Sequence, residues 1–105
     1  MKIVNRRDHP VLDANMVYVG RPAQGLKGSP LANPYKIGPH GNRENVIQLY
    51  RRWLAGQIKK RDGAVLDALS QLNENSVLVC WCAPKPCHAE VIERAWRYCK
   101  EKGIT

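Results

Sequence analysis

One short stretch, Cys80-Trp81-Cys82-Ala83-Pro84-Lys85-Pro86-Cys87-His88, brings three thiols, an imidazole and a cation together. Three kinds of chemistry use such donors. Zinc takes sulfur and imidazole ligands, so Cys80, Cys82, Cys87 and His88 form a candidate set, although their spacing departs from the usual C-x2-C knuckle. Nucleophilic or acid/base catalysis needs a thiolate beside a base. Cys87, expected in the first turn of a helix next to His88 and near Lys85, meets that description, with His88 or a loop histidine such as His40 as partner. The third reading is structural: Cys80 and Cys99 as small core residues, Cys82 lining the turn, and His88 capping or facing solvent. His88-Ala89-Glu90 also matches the H-x-E of zinc nucleobase deaminases, but no P-C-x-x-C follows it and the layout fails.

A second stretch offers binding chemistry. Between Gly20 and Asn42 stand five glycines and four prolines, which excludes a regular helix or a central strand. Long ordered loops of this kind tend to build sites. Gly20-Arg21-Pro22 follows a short β-rich run, and Arg21 there is placed to reach a phosphate or carboxylate. Asn33, Tyr35 and Lys36 add an amide, an aromatic face and a cation, suited to a base or ribose. His40, Asn42 and Arg43 lead into a helix N-terminus, where backbone N–H groups favour anions. Neither a Walker A loop nor G-x-G-x-x-G is present, so phosphate binding rests on composition and placement.

The elements that must hold these residues follow from periodicity. Val17-Tyr18-Val19 reads as a strand ended by Gly20, and Ile3-Val4 as a strand or an ordered arm. Asn42 is a favoured helix N-cap with Glu44 in the first turn, and Val46, Tyr50, Trp53, Leu54 and Ile58 form one apolar stripe. Asp62-Gly63 breaks that helix; Val65, Leu66, Ala68, Leu69 and Leu72 start another, stopped by Asn73-Glu74-Asn75. Ser76 to Trp81 carries the continuous run Val77-Leu78-Val79 of a strand buried on both faces, as in a parallel sheet. After the rigid Ala83-Pro84-Lys85-Pro86 turn, a last helix from about Cys87 to Lys102 buries Val91, Ile92, Ala95, Trp96 and Cys99 and stops at Gly103. This order predicts a small single-domain α/β layered fold over residues 1–105, with a short, mainly parallel sheet flanked by helices and a site at the strand carboxyl ends.

Composition sets the partner class. Seventeen Lys and Arg against nine Asp and Glu give a net charge of +8, a field that favours phosphate-bearing partners. Arg43, Arg51, Arg52, Lys59, Lys60 and Arg61 concentrate much of it around the first long helix. No apolar run approaches the roughly twenty residues of a membrane span, and the N-terminus lacks the apolar stretch of a secretory signal. A cytoplasmic location is therefore expected, where free cysteines stay reduced.

The segments Val17-Tyr18-Val19-Gly20-Arg21, Ser29-Pro30-Leu31-Ala32-Asn33-Pro34-Tyr35, Gly41-Asn42-Arg43-Glu44 and Cys80 through Ala89 together resemble the domain of unknown function family 4326, found in bacteria and phages. The resemblance spans about residues 17–98. It implies no particular activity, but it does imply that loop and Cys/His turn are recurrent parts of one domain, most simply two sides of one pocket. The leading expectation is a pocket for a nucleotide or nucleic acid. Its candidate ligand-binding residues are Gly20, Arg21, Asn33, Tyr35, Lys36, His40, Asn42 and Arg43; Cys87, His88 and Cys82 are candidates for chemistry. The alternatives are a non-catalytic nucleic-acid-binding module stabilised by zinc and a partner-binding protein without a ligand.

Overall fold

The computed structural model describes residues 1–23 and 25–105; Gln24, inside the Gly/Pro loop expected over residues 20–42, lies outside the described residues. The run Val77-Leu78-Val79 forms the middle of the sheet. Strand β3 (Val77–Cys80) pairs in parallel with β1 (Lys2–Asn5) on one side and β2 (Met16–Tyr18) on the other. The register sets Lys2 and Met16 opposite Val77, and Asn5 opposite Cys80. A middle strand of a parallel sheet is covered on both faces, which is why Leu78, Val79 and Cys80 are all buried. Ile3 and Val4, expected as a strand or an arm, belong to β1, because β3 needs backbone partners along both edges.

Three helices cover the sheet's connections: α1 (Arg43–Lys59), α2 (Gly63–Ser70) and α3 (His88–Glu101). Helix α1 packs on α3, α2 touches both, and α3 lies on β3. Along α1 the buried positions are Val46, Tyr50, Leu54 and Ile58, while Trp53 is half-buried and stacks on Tyr50 with ring centroids 5.6 Å apart. Asn42 caps α1 reciprocally with Asn45: the Asn45 N–H donates to Asn42 Oδ1 at 2.8 Å, and the Asn42 N–H to Asn45 Oδ1 at 3.0 Å. Gly41 makes that approach possible, since it has φ +115° and a Cβ there would stand 2.7 Å from the Asn45 Cβ. No helix of the described residues is long and apolar enough to cross a membrane.

Two boundaries differ from expectation. The α1–α2 turn does not break at Asp62-Gly63. Arg61 takes the left-handed conformation with φ 60°, Asp62 caps α2 by accepting the Val65 N–H at 3.1 Å, and Gly63 is already helical. Cys87 is not in the first turn of α3 but is its N-cap, with extended backbone, and accepts the Ala89 N–H at 3.2 Å. Glu90 completes that cap by accepting the Cys87 N–H at 3.3 Å, so the Glu of the H-x-E serves a helix cap.

The long loop after β2 is irregular but anchored. Buried Leu31 offers its carbonyl to the buried Tyr50 hydroxyl, which donates at 2.6 Å. Asn33 reaches α1 through Nδ2 to the Val46 carbonyl at 3.2 Å and folds its own turn by accepting the Tyr35 N–H at 2.9 Å. Tyr50→Phe keeps the ring but strands the buried Leu31 carbonyl. It is expected to lower stability by about 1–3 kcal/mol, read as a reduced urea midpoint with unchanged slope.

Candidate functional site

The loops leaving the carboxyl ends of β2 and β3 part from each other, and a pocket of about 240 Å³ lies between them. This is the position at which open parallel sheets usually receive ligands. Gly20, Arg21, Asn33 and Tyr35 line it from the Gly/Pro loop, Arg43 from the start of α1, and Cys82, Cys87 and His88 from the Cys/His turn. Tyr18, Cys80 and Trp81 also line it, and of these Tyr18 and Trp81 were not singled out from the sequence. Lys36, His40 and Asn42 are not in the lining.

Each omission has a reason. Asn42 is consumed in the α1 cap. His40 accepts the Lys36 N–H on Nδ1 at 2.9 Å and meets the Tyr35 ring edge-on, with centroids 5.5 Å apart, so it supports the loop and does not reach Cys87. Lys36 is exposed in that same turn. Asn33 does border the pocket, but its amide is engaged by Val46 and Tyr35, which makes it a positioning group.

The mouth is built from hydrogen-bonded aromatics and fixed cations. Trp81, 43% exposed, donates its Nε1–H to the Tyr18 hydroxyl at 2.9 Å, and Tyr18 in turn donates to the Arg21 carbonyl at 2.6 Å. Arg21 donates from Nη1 to the carbonyl of Asn33 at 3.2 Å and, at 3.5 Å, to that of Tyr35. Arg43 donates from Nη1 to the Pro86 carbonyl at 3.1 Å, tying α1 to the turn before α3. Among the described residues neither guanidinium meets a carboxylate within ion-pair distance. Asn5 secures the turn from β1, donating to the carbonyls of Trp81 at 3.2 Å and Ala83 at 2.9 Å.

The sulfurs at the floor are sorted differently from expectation. Cys87 Sγ donates to Cys80 Sγ at 3.2 Å. That S–H bond, helped by the backbone N–H groups of Cys82 and Ala83 and opposed by burial, holds the Cys80 thiol down at about 6, well below the ordinary thiol range. Cys87, the donor, is pushed up by the same bond and by burial, despite the Ala89 N–H that it accepts. These directions run against the sequence reading of Cys87 as the low-pKa thiolate and favour Cys80, the acceptor of the S–H bond, as the more acidic of the two thiols. His88 does not supply positive charge either. Burial holds its pKa below the ordinary value and Arg21 adds to that, outweighing the opposing bond in which Nε2 donates to the Val19 carbonyl at 2.7 Å; with Nε2 as that donor, the neutral ring carries its proton there and leaves Nδ1 free to accept.

Among the described residues no three His, Cys, Asp or Glu side chains are gathered as metal ligands, and the His88 ring is turned to Val19. Over residues 3–97 the chain matches the family described as Domain of unknown function (DUF4326), a span that also takes in most of β1. No curated protein and no solved structure matches.

A thiolate should thus be detectable in the folded protein by its absorbance near 240 nm, titrating around pH 6 and absent from Cys80→Ala, whereas Cys87→Ala should move the midpoint up. Linkage gives the stability consequence. The lowered Cys80 value means that the folded state holds fewer protons between about 6 and the ordinary thiol value of about 8.5, so stability rises with pH across that window. The lowered His88 value likewise costs stability as pH falls below about 6.5. The thermal unfolding midpoint should fall steadily from pH 8 to pH 5, as followed by circular dichroism.

Proposed function

We propose that this chain, which belongs to the family described as Domain of unknown function (DUF4326), binds a phosphate-bearing ligand, a nucleotide or a nucleic-acid end, in the pocket between the Gly/Pro loop and the Cys/His turn. The observation that carries the reading is the pair Arg21 and Arg43. Both border one cavity, both are aimed by bonds to backbone carbonyls, and neither is neutralised by a carboxylate among the described residues. Unpaired guanidinium groups held in place are the usual means of gripping phosphate oxygens. The amino ends of α1 and α3 border the same cavity and add the positive ends of two helix dipoles.

Aromatic groups favour a nucleotide over a bare phosphate. Trp81 stands half-exposed at the mouth with its N–H already paired, so its face is the part offered to a ligand, and Tyr35 lies in the same lining. Stacking of a base on such a face contributes about 1–3 kcal/mol without demanding a particular base. The cavity lies just below the roughly 300 Å³ at which small-molecule pockets begin, which restricts the occupant to one nucleotide unit or the terminus of a strand. The net charge of +8 would draw longer nucleic acid toward this face. The reading places the protein in a cytoplasm, where its four cysteines remain thiols.

Isothermal titration with 5′-nucleoside monophosphates and the matching nucleosides, at about 50 mM and again at 200 mM salt, tests this. The monophosphates should bind, and more weakly at the higher salt. The nucleosides should bind at least about tenfold more weakly, the equivalent of about 1.4 kcal/mol. Arg43→Ala should remove most of the advantage of the phosphate, and Trp81→Ala should weaken nucleoside and nucleotide alike. Equal affinities for nucleoside and nucleotide, or an Arg43→Ala protein that binds as the parent does, would remove the phosphate reading.

A further inference from the structure

The ligand reading leaves the two sulfurs at the pocket floor without a task. Cys80 ends β3 and Cys87 caps α3, and the intervening turn, closed by the Lys85 N–H to the Cys82 carbonyl at 2.9 Å, returns one to the other. Their Sγ atoms stand 3.2 Å apart and both are free thiols. A disulfide needs about 2.05 Å, so the sulfurs have roughly 1 Å to close, a distance within reach of small side-chain rotations. The pair is asymmetric. Cys80 Sγ accepts the S–H of Cys87 at 3.2 Å, a bond that lowers the Cys80 thiol, with the backbone N–H groups of Cys82 and Ala83 acting in the same direction, whereas Cys87 is the donor and its own thiol is pushed up. Both border the pocket, which admits small molecules to residues that are otherwise buried.

We propose that Cys80 and Cys87 form an oxidative modification site for a small peroxide, with Cys80 as the sulfur oxidised first and Cys87 as the thiol that resolves it. In the first step the Cys80 thiolate attacks one oxygen of hydrogen peroxide. An S–O bond forms, the O–O bond breaks, sulfur is oxidised to a sulfenic acid, and the departing hydroxide takes up a proton to become water. In the second step the Cys87 sulfur attacks the sulfenic sulfur. The S–S bond forms, the S–O bond breaks, and the proton from Cys87 leaves with the hydroxyl as a second water. Two thiols and one peroxide thus become one disulfide and two waters.

Position distinguishes this pair from the other two cysteines. Cys82 borders the pocket but is not the partner of Cys87 in the S–H bond, and Cys99 is buried on α3 outside the pocket lining. Oxidation would also act on the pocket itself. It removes a negative charge from the floor beneath Arg21 and Arg43 and links the end of β3 covalently to the start of α3.

The test treats the native full-length chain with about tenfold hydrogen peroxide at neutral pH, blocks remaining thiols with N-ethylmaleimide, and reads intact mass and peptide fragments. The expected result is a loss of about 2 Da from two hydrogens, assigned by fragmentation to a Cys80–Cys87 bond and reversed by dithiothreitol. Cys87→Ala should halt at a Cys80 sulfenic acid that dimedone traps, and Cys82→Ser should form the disulfide as the parent does. Oxidation of Cys82 or Cys99 ahead of Cys80, or a native pair no faster than free cysteine, would overturn the proposal. Because the wild-type protein alone decides between these outcomes, a variant that fails to fold does not obscure them. The readout contains no nucleotide, so failure to bind monophosphates and failure to form the disulfide are separate results.

Discussion

Folding takes the hydroxyl of Tyr50 out of water, and a buried donor must be paired or cost about 1–3 kcal/mol. Its partner is the Leu31 carbonyl, in the middle of a segment too rich in glycine and proline to form its own ladder. The same ring meets the edge of His88 with centroids 5.0 Å apart, and His88 donates onward to the Val19 carbonyl just past β2. One side chain on α1 therefore connects the loop, the start of α3 and the end of β2. Burial and the nearby Cys87 both push the Tyr50 hydroxyl upward in pKa, so it stays a neutral donor and the connection holds across the ordinary pH range.

That constraint explains how an irregular loop forms a wall. A long segment without secondary structure would carry many unsatisfied backbone groups if left to itself. Here side chains take up the deficit: Ser29 accepts the Leu31 N–H at 3.0 Å, Asn33 accepts the Tyr35 N–H and donates to Val46, and Arg21 ties the loop's start to its middle. Polar residues that look available for a ligand are in large part the loop's own hydrogen-bond partners. What remains at the pocket is the charge of Arg21 and Arg43 and the half-exposed Trp81, above a floor where Cys87 donates its S–H to Cys80.

The contrast between Cys80 and Cys87 shows how local rules and packing compete. By local rules a cysteine at a helix start is the one to ionise, and a cysteine ending a buried strand is not. Both rules act here, since Cys87 does accept an amide N–H and Cys80 is desolvated. They are opposed by the S–H bond between two sulfurs 3.2 Å apart, which lowers the acceptor Cys80 and raises the donor Cys87. Only one sulfur of such a pair readily becomes the anion, because the two titrate as a unit.

Much of the fold was legible in one dimension. The run Val77-Leu78-Val79 marked a strand covered on both faces, the stripe at Val46, Tyr50, Leu54 and Ile58 marked a helix with one buried side, and Asn42 marked where that helix starts. Each is a short-range consequence of side-chain size, polarity and period. The composition of the loop likewise excluded regular structure, and the pairing of loop with Cys/His turn followed from the parallel order of elements. The sequence could not decide which polar groups the loop would spend on itself, so Lys36, His40 and Asn42 stood beside Arg21 and Arg43 as equals. Nor could it show that Tyr18 and Trp81 bond to each other at the mouth, 63 residues apart, or that Cys87 donates its S–H to Cys80. Those outcomes depend on distances between atoms remote along the chain, and a hydrogen bond or a pKa responds to separations of a few tenths of an ångström that exist only once the helices and sheet have packed.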